Sequence, residues 1–567
     1  MRKNLIAGIA VIVCIVSALC TSIGGKADSI QEKELENYII NALSAANIPG
    51  MGISIVSSEK ELYCAAYGAA QEPESDYVLG SLSKSFTAAA IMHLQEEEEL
   101  SLDDKVSDYL TGYKAVSDVT ISELLHQTSG ISSEETMSAL QGNGQRGAFE
   151  YANANYNLLG EIIEAASGLT YEEYISDNIL DPLDMTSTYS MRTGADMSEE
   201  LLPGYQNYFG FPFPVKHQYD KEEDWIQAPS GYLISDAKDM GKYLQMYLNK
   251  GGGILSEESV HAMLYQGTDM SSDRSVEDDF FEGTAEYGMG WMAKQVDGQA
   301  ILYHSGKTEG FTAMMVLLPE QDLGITMLFN SMDFLVGQNL IEKMEEGIVS
   351  LEMGNTPVEI DSHAYLLRHG LLDGLLLLLV ILAWMPVFLM GVWWKRRCRD
   401  WFSPIELAVD VAIHIVLPTA LIFILPNIVP SFMVKRFVPD VYYVLCAVII
   451  SLYLGAVIKL LAGLILLLKK KEGILPSGEA KEEQLGEGQE LEEQPKTENK
   501  ENKNMNGQPE KEESNDTEPE QEEKQKEVSG NGKPEKKEPE VKKPRQEGAG
   551  KKTSGQKQNN NRKKGKR

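Results

Sequence analysis

The sequence predicts an α/β domain followed by three membrane-spanning helices and a disordered charged tail. Three features predict this order: β-rich runs at both ends of residues 28–354 with helical spacing between them, three long apolar segments after residue 370, and a polar stretch at 472–567.

Residues 1–27 read as a signal peptide or signal anchor. Arg2 and Lys3 form a basic start, and Leu5 to Leu19 is an almost unbroken apolar run. Gly25-Lys26-Ala27 offers a small-residue cleavage site, and the run is also long enough for an uncleaved anchor. Within 28–354, Ile30 to Ala46 has helical spacing, and Met51 to Ser57 and Leu62 to Ala69 read as paired strands. Ser83 to Leu94 is apolar enough for a buried helix. Ala313 to Leu318 and Gly324 to Phe329 are β-rich, joined by Pro319-Glu320-Gln321-Asp322 as a hairpin loop. With strands at both ends, the ends of the domain should share one sheet.

Residues 355–370 form a short polar connector. The apolar segments 371–394, 405–429 and 441–468 can each cross a hydrocarbon core of roughly 30 Å. Lys395, Arg396, Arg397 and Arg399 follow the first, and Lys469, Lys470 and Lys471 follow the third. Positive charge favours the cytoplasmic side, so the α/β domain should lie outside the cell and the tail inside. Lys435 and Arg436, in the short outer loop, run against this rule and are outnumbered. The tail has no aromatic residue and few aliphatic ones, so it cannot bury enough apolar area to order. It is acid-rich first and basic from Lys542; its simplest reading is a solvated tail, with binding of anionic lipid or nucleic acid by the basic end as the alternative.

A net charge of −34 argues against a nucleic-acid partner for the chain as a whole. Of the five cysteines, only Cys64 falls in the globular part, which therefore makes no internal disulfide. No cysteine pair has metal-ligand spacing and no His-Glu-x-x-His occurs, so neither a metal nor another cofactor is expected.

The central chemical signal is Gly80-Ser81-Leu82-Ser83-Lys84. Ser-x-x-Lys at a helix start places both side chains on one face, with the hydroxyl at the positive end of the helix. Serine needs an adjacent base to become a nucleophile, and a desolvated lysine can be one. By itself this pattern is common. Phe149-Glu150-Tyr151-Ala152-Asn153 adds a second proton-transfer group, Tyr151, and an amide, Asn153, which share a cleft if the segment is extended. Tyr303-His304-Ser305-Gly306 precedes the late strands; Gly306 would let a substrate lie along the strand edge, and the Lys307 N–H could join that of Ser81 as an oxyanion donor.

At these positions the chain resembles the serine β-lactamase and penicillin-binding-protein superfamily, in its class C-like branch of D,D-peptidases, D-aminopeptidases and esterases. The resemblance covers about residues 30–350. It extends to Leu124-Leu125-His126-Gln127-Thr128-Ser129-Gly130, Asn157-Leu158-Leu159-Gly160, Pro182-Leu183-Asp184-Met185 and Tyr287-Gly288-Met289-Gly290-Trp291. It implies an antiparallel sheet flanked by helices, plus a helical subdomain. It implies that Ser81 is acylated, that Lys84 is its hydrogen-bonded base partner, that Tyr151 shuttles protons to the leaving group and the deacylating water, and that Asn153 positions the substrate. His304, Ser305, Gly306 and Lys307 would form the substrate-binding strand. Two positions depart from the family pattern. Ala152 replaces a usual serine, and His304 stands where β-lactamases carry a lysine that binds the substrate carboxylate. A neutral histidine binds a carboxylate less well, and it should gain charge as pH falls through the usual histidine range.

Ser129 and Ser305 sit beside glycines in turn-like phrases and read as structural, as does His126. The tyrosines from Tyr205 to Tyr219 read as packing or cleft rim, and Glu96 to Glu99 as a solvated helix end. In the membrane part, Glu406, Asp410 and His414 form one stripe, and Lys459 lies at a depth similar to His414, which reads as an interhelical polar contact. The expected activity is acyl-enzyme hydrolysis of cell-wall or envelope amides or esters by a multi-pass protein of the cell membrane, in contact with lipid. The rival is a sensor of penicillin-like molecules that acylates without fast turnover.

Overall fold

A buried apolar run organises the domain. Strand β1 (Gly50–Val56) is buried at every position and must be covered on both faces. It pairs antiparallel with β8 (Leu323–Phe329), Met51 opposite Phe329, so the two ends of the domain share one sheet as the sequence predicts. The other strands of this sheet are β2 (Glu61–Gly68), β3 (Thr268–Asp269), β4 (Glu286–Tyr287), β5 (Met292–Val296), β6 (Gln299–Lys307) and β7 (Thr312–Leu318). They form an eight-stranded antiparallel sheet in the order β2-β1-β8-β7-β6-β5-β4-β3. The β7–β8 hairpin turns through Pro319–Gln321, with Asp322 left-handed at φ 55°.

The computed structural model describes residues 32–70, 72–190, 201–215, 225–273, 280–400, 403–427 and 431–472. The signal segment 1–27 and all of the tail beyond 472 lie outside the described residues.

Helix α1 (32–45) runs before β1. Its Tyr38 hydroxyl donates to the Val358 carbonyl at 2.8 Å, fastening the start of the domain to its end. Helix α2 (Ser83–Glu96) is buried at eleven of its fourteen positions, two residues longer than its apolar run predicts. On it pack α3 (Asn153–Ser167) and the short turn Ala228–Gly231. Helix α4 (Ala237–Leu248) lies against β1 and β8, and α5 (Gln338–Glu352) closes the domain. Helix α2, which carries Lys84, thus packs among the helices of the domain.

Glu345 on α5 is fully buried, with Oε1 unpartnered among the described residues. Burial, and then the charge of Glu342, push its pKa up to about 8, while Lys307 pulls it down. A raised folded-state pKa means that the neutral form's stability is complete below the ordinary carboxylate range and is lost as pH rises toward about 8. Each pH unit between the two values is worth roughly 1.4 kcal/mol. Glu345→Gln should therefore leave thermal stability near pH 5 little changed and raise it above pH 8. Calorimetry showing equal destabilisation at both pH values would mean that the carboxyl is not neutral here.

Among the described residues, three helices are long and apolar enough to cross a membrane: Ser362–Arg399, Pro404–Ile424 and Pro439–Lys471. The first begins inside the segment read as a polar connector, because the Asp361 side chain caps it by accepting the His363 N–H at 2.8 Å. The polar stripe divides. Lys459 Nζ meets Asp410 at 2.5 Å across two helices, His414 packs beside Gly455, and Glu406 pairs with Arg397 at 2.7 Å and with Arg396.

Candidate active site

The short 3₁₀ turn Gly80–Leu82 feeds directly into α2, and side chains three apart in such a turn eclipse. Ser81 is therefore half-buried at the helix mouth, with Lys84 beneath it and fully buried. Lys84 Nζ lies 3.0 Å from Ser81 Oγ, 2.8 Å from Asn153 Oδ1 and 2.7 Å from the Ser230 carbonyl oxygen. Burial holds the Lys84 pKa well below the usual lysine range, which favours the neutral amine. A neutral amine has two N–H donors and one lone pair. Asn153 Oδ1 and the Ser230 carbonyl can only accept, so they take the two donors. The lone pair is left facing Ser81, whose hydroxyl donates to it. The contacts thus fit Lys84 as a base poised on the serine proton.

Tyr151 comes from the extended segment before α3; Ala152, between it and Asn153, has φ −133° and ψ 129°. This lets Tyr151 and Asn153 both reach Lys84. The amine lies 4.7 Å from the Tyr151 ring centre, and Ser81 is a near neighbour of the Tyr151 hydroxyl. Burial, and then Tyr287, push the Tyr151 pKa well above the usual tyrosine range, so it keeps its proton at neutral pH.

The third wall is β6. Its neighbour β5 pairs with it only from Gln299 to Tyr303, so His304 to Lys307 present an edge that β5 leaves open. The Ser81 turn approaches that edge. A Cβ on Gly80, which has φ +57°, would lie 2.6 Å from the Lys307 nitrogen, and one on Gly306 would lie 3.0 Å from the Ser81 nitrogen. Only glycine permits this contact, which brings the backbone at Ser81 close to the backbone at Lys307. Two N–H donors over the serine hydroxyl are the arrangement that stabilises an oxyanion. The Lys307 side chain is occupied elsewhere, paired with Glu342 at 2.9 Å.

His304 lies beneath this edge, 1 % exposed. Its Nδ1 donates to the Ser305 carbonyl at 2.7 Å, and Nε2 faces the Tyr287 hydroxyl at 3.4 Å, contacts that a neutral ring satisfies. Burial above all lowers its pKa to about 3, and Lys84 adds to this whenever its amine is protonated. The expectation that His304 gains charge within the usual histidine range is therefore corrected: its surroundings keep it neutral there. His304→Lys should favour an anionic substrate over a neutral ester by about tenfold or more, since a hydrogen bond to a charged group is worth roughly 1.5–3 kcal/mol. An unchanged ratio in a folded variant would mean that this position does not set substrate charge.

Several contributors carry no local sequence signal. Gln127, at positive φ, accepts the Ala152 N–H at 3.0 Å through Oε1 and holds the Tyr151 segment extended. The Ser230 carbonyl orients Lys84. Ser129 and His126 have structural partners: the Ser129 hydroxyl donates to Asn155 Oδ1 at 2.6 Å, and the two His126 ring nitrogens face the carbonyls of Ser122 and Gln266.

The rim contains a residue from the membrane part. Arg436, in the helix Ser431–Phe437 between the second and third apolar helices, pairs with Glu309 and bonds the Tyr232 hydroxyl. Its guanidinium lies 5.7 Å from the Trp225 ring centre and 5.9 Å from that of Tyr232. Glu309 follows β6 and Tyr232 follows Gly231, so Arg436 joins the two walls that flank Ser81. Among the described residues no cluster of His, Cys, Asp or Glu could hold a metal ion.

A protein-family model described as Beta-lactamase matches residues 35–341. Protein flp of Staphylococcus aureus strain MW2 is 26 % identical over 400 residues, covering 65 % of this chain and 76 % of that protein. Penicillin-binding protein 4* of Bacillus subtilis strain 168 is 28 % identical over 337 residues, covering 51 % of this chain and 69 % of that protein. The octameric penicillin-binding protein homologue from Pyrococcus abyssi is similar in structure, with 28 % identity, a TM-score of 0.51, and coverage of 59 % of this chain and 80 % of that one.

Proposed function

The chain belongs to the beta-lactamase family, and from that premise we propose that it is a membrane-anchored serine hydrolase acting outside the cell, through an acyl-enzyme, on cell-envelope amides or esters. D-amino-acid peptides and esters are the substrate class. One observation carries this reading: the Lys84 amine has both donors committed to Asn153 and Ser230, which leaves its lone pair for Ser81. As Ser81 Oγ attacks a carbonyl, its proton passes to Lys84, and the new oxyanion is held by the N–H groups of Ser81 and Lys307. The Tyr151 hydroxyl gives its proton to the leaving amine or alcohol and is replenished from Lys84. Water then attacks the acyl group, losing its proton along the same path in reverse. The neutral His304 favours substrates without a carboxylate at that end. Residues 28–370 would lie outside and the tail inside; protease added to intact cells should then remove the domain and spare a tag at Arg567.

The rival reading, a sensor of penicillin-like molecules that acylates without fast turnover, draws support from Arg436, which links the cleft walls directly to the membrane helices. Intact-mass measurement on the purified full chain separates the two. Incubation with an activated ester and with a penicillin should give turnover of the ester with no lasting adduct. A persistent penicillin adduct without ester turnover favours the sensor, and no adduct with either reagent removes both.

A further inference from the structure

A two-stranded hairpin, Gly204–Tyr208 with Phe211–Val215, leaves the domain beside the membrane helices. Its turn rests on the ends of two of them. The Phe209 N–H donates to the Asp440 carboxylate at 3.2 Å, and the Tyr365 hydroxyl donates to the Gly210 carbonyl at 3.4 Å. A Cβ on Gly210 would lie 3.4 Å from the His369 ring, so the turn touches that side chain too. Asp440 immediately precedes the third apolar run, which starts at Val441, and His369 stands two residues before Leu371, where the first begins. The turn is thus level with the plane where polar sequence gives way to hydrocarbon.

From that plane Phe211 and Phe213 project on one face of their strand, 66 % and 52 % exposed. No charged residue occurs from Gly204 to Val215. Pro212 and Pro214 make the strand a poor template for a further protein strand, since proline offers no N–H to pair. Phe334 and Leu335, also exposed, continue the apolar level beside Leu372 and Phe437. Exposed phenylalanines at this depth can bury at the boundary between headgroups and acyl chains.

We propose that this hairpin seats the hydrolase domain on the membrane, with Phe211 and Phe213 inserted among the lipids of the leaflet that faces it. The seat reaches the active site through backbone. The Tyr205 N–H donates to the carbonyls of Gly310, at 3.2 Å, and Asn330, at 3.0 Å, so the base of the hairpin is tied to the turn that follows β6. Lipid contact therefore fixes the height of the cleft above the leaflet, and a substrate attached to that leaflet meets Ser81 at a set distance.

The inference rests on the reading that the apolar helices cross a membrane, and its test separates the two. The full chain, reconstituted in vesicles of phosphatidylglycerol and phosphatidylethanolamine, would carry the photoreactive residue benzoylphenylalanine at one of three positions. These are 211, then 378 in the middle of the first apolar helix, and 321 in the β7–β8 turn. After illumination, intact mass should shift by one lipid at 211 and 378 and not at 321. A shift at 378 without one at 211 overturns the seat and leaves the spanning helices. No shift at 378 overturns the spanning reading and the seat with it.

Discussion

Ser81→Ala is expected to abolish turnover of activated esters, with a loss on the order of 10⁴–10⁶-fold, the cost of removing the nucleophile from a serine hydrolase. The same variant should form no covalent adduct with a penicillin. The size of the effect follows from the lack of a substitute. Ser83 donates to the Gly80 carbonyl and accepts the Leu233 N–H, Ser85 donates to the Leu82 carbonyl, and Ser129 donates to Asn155. Each of these hydroxyls is buried and committed, whereas Ser81 is half-buried and faces only Lys84 and Tyr151. The fold should tolerate the change, because no backbone contact of the turn depends on the Ser81 hydroxyl. A folded variant that keeps near wild-type turnover would falsify the assignment of Ser81.

The sheet was legible in the sequence where burial is uniform. β1, β7 and β8 are continuous apolar runs, and nothing competes with the strand reading of such runs between turn residues. Ser81, Lys84, Tyr151 and Asn153 could be named because local spacing lets each pair share one side of a helix start or an extended segment, and because the three motifs together resemble the serine β-lactamase superfamily. Their convergence could not be read the same way. It depends on Gln127 and Ser230, which act through an amide oxygen and a main-chain carbonyl and so leave no pattern of residue types.

His304 shows the same limit from the other side. The sequence identifies a histidine before Ser305-Gly306, but its charge is set by burial among Tyr287 and Tyr151, which pack against it from distant segments. The hairpin at Gly204–Val215 was hidden for a different reason. Phe211-Pro212-Phe213-Pro214 breaks strand patterns, and only its place as the outer strand of a three-stranded sheet, beyond Gly204–Tyr208 and Ser331–Met332, makes two prolines and two exposed aromatics compatible with a strand. Arg436 ran against the charge pattern expected for that loop; it pairs with Glu309 and Tyr232 of the hydrolase-like domain.

Lys84→Arg should lower turnover by about 10²–10⁴-fold, the usual contribution of a general base. Arginine keeps the positive charge and part of the hydrogen bonding, but it has no lone pair to accept the Ser81 proton. The substitution therefore separates a base from a mere electrostatic anchor. The pH profile gives a second, independent reading. Burial lowers the Lys84 pKa well below the usual lysine value of 10.5, so the rate should rise with pH as the amine loses its proton and level off before the ordinary lysine range. Tyr151 has its pKa raised well above 10.0, so no falling limb from its ionisation should appear below that value. Between pH 5 and 8 His304 contributes no step, because its pKa is held near about 3. Tyr151→Phe, which removes the proton carrier and leaves the ring, should lose activity to a similar degree and keep the rising limb, since that limb belongs to Lys84. The rising limb should vanish in Lys84→Arg. If Lys84→Arg instead stays within about tenfold of the parent and retains the limb, general-base catalysis of this size cannot reside in Lys84, and the proton of Ser81 must leave by way of Tyr151.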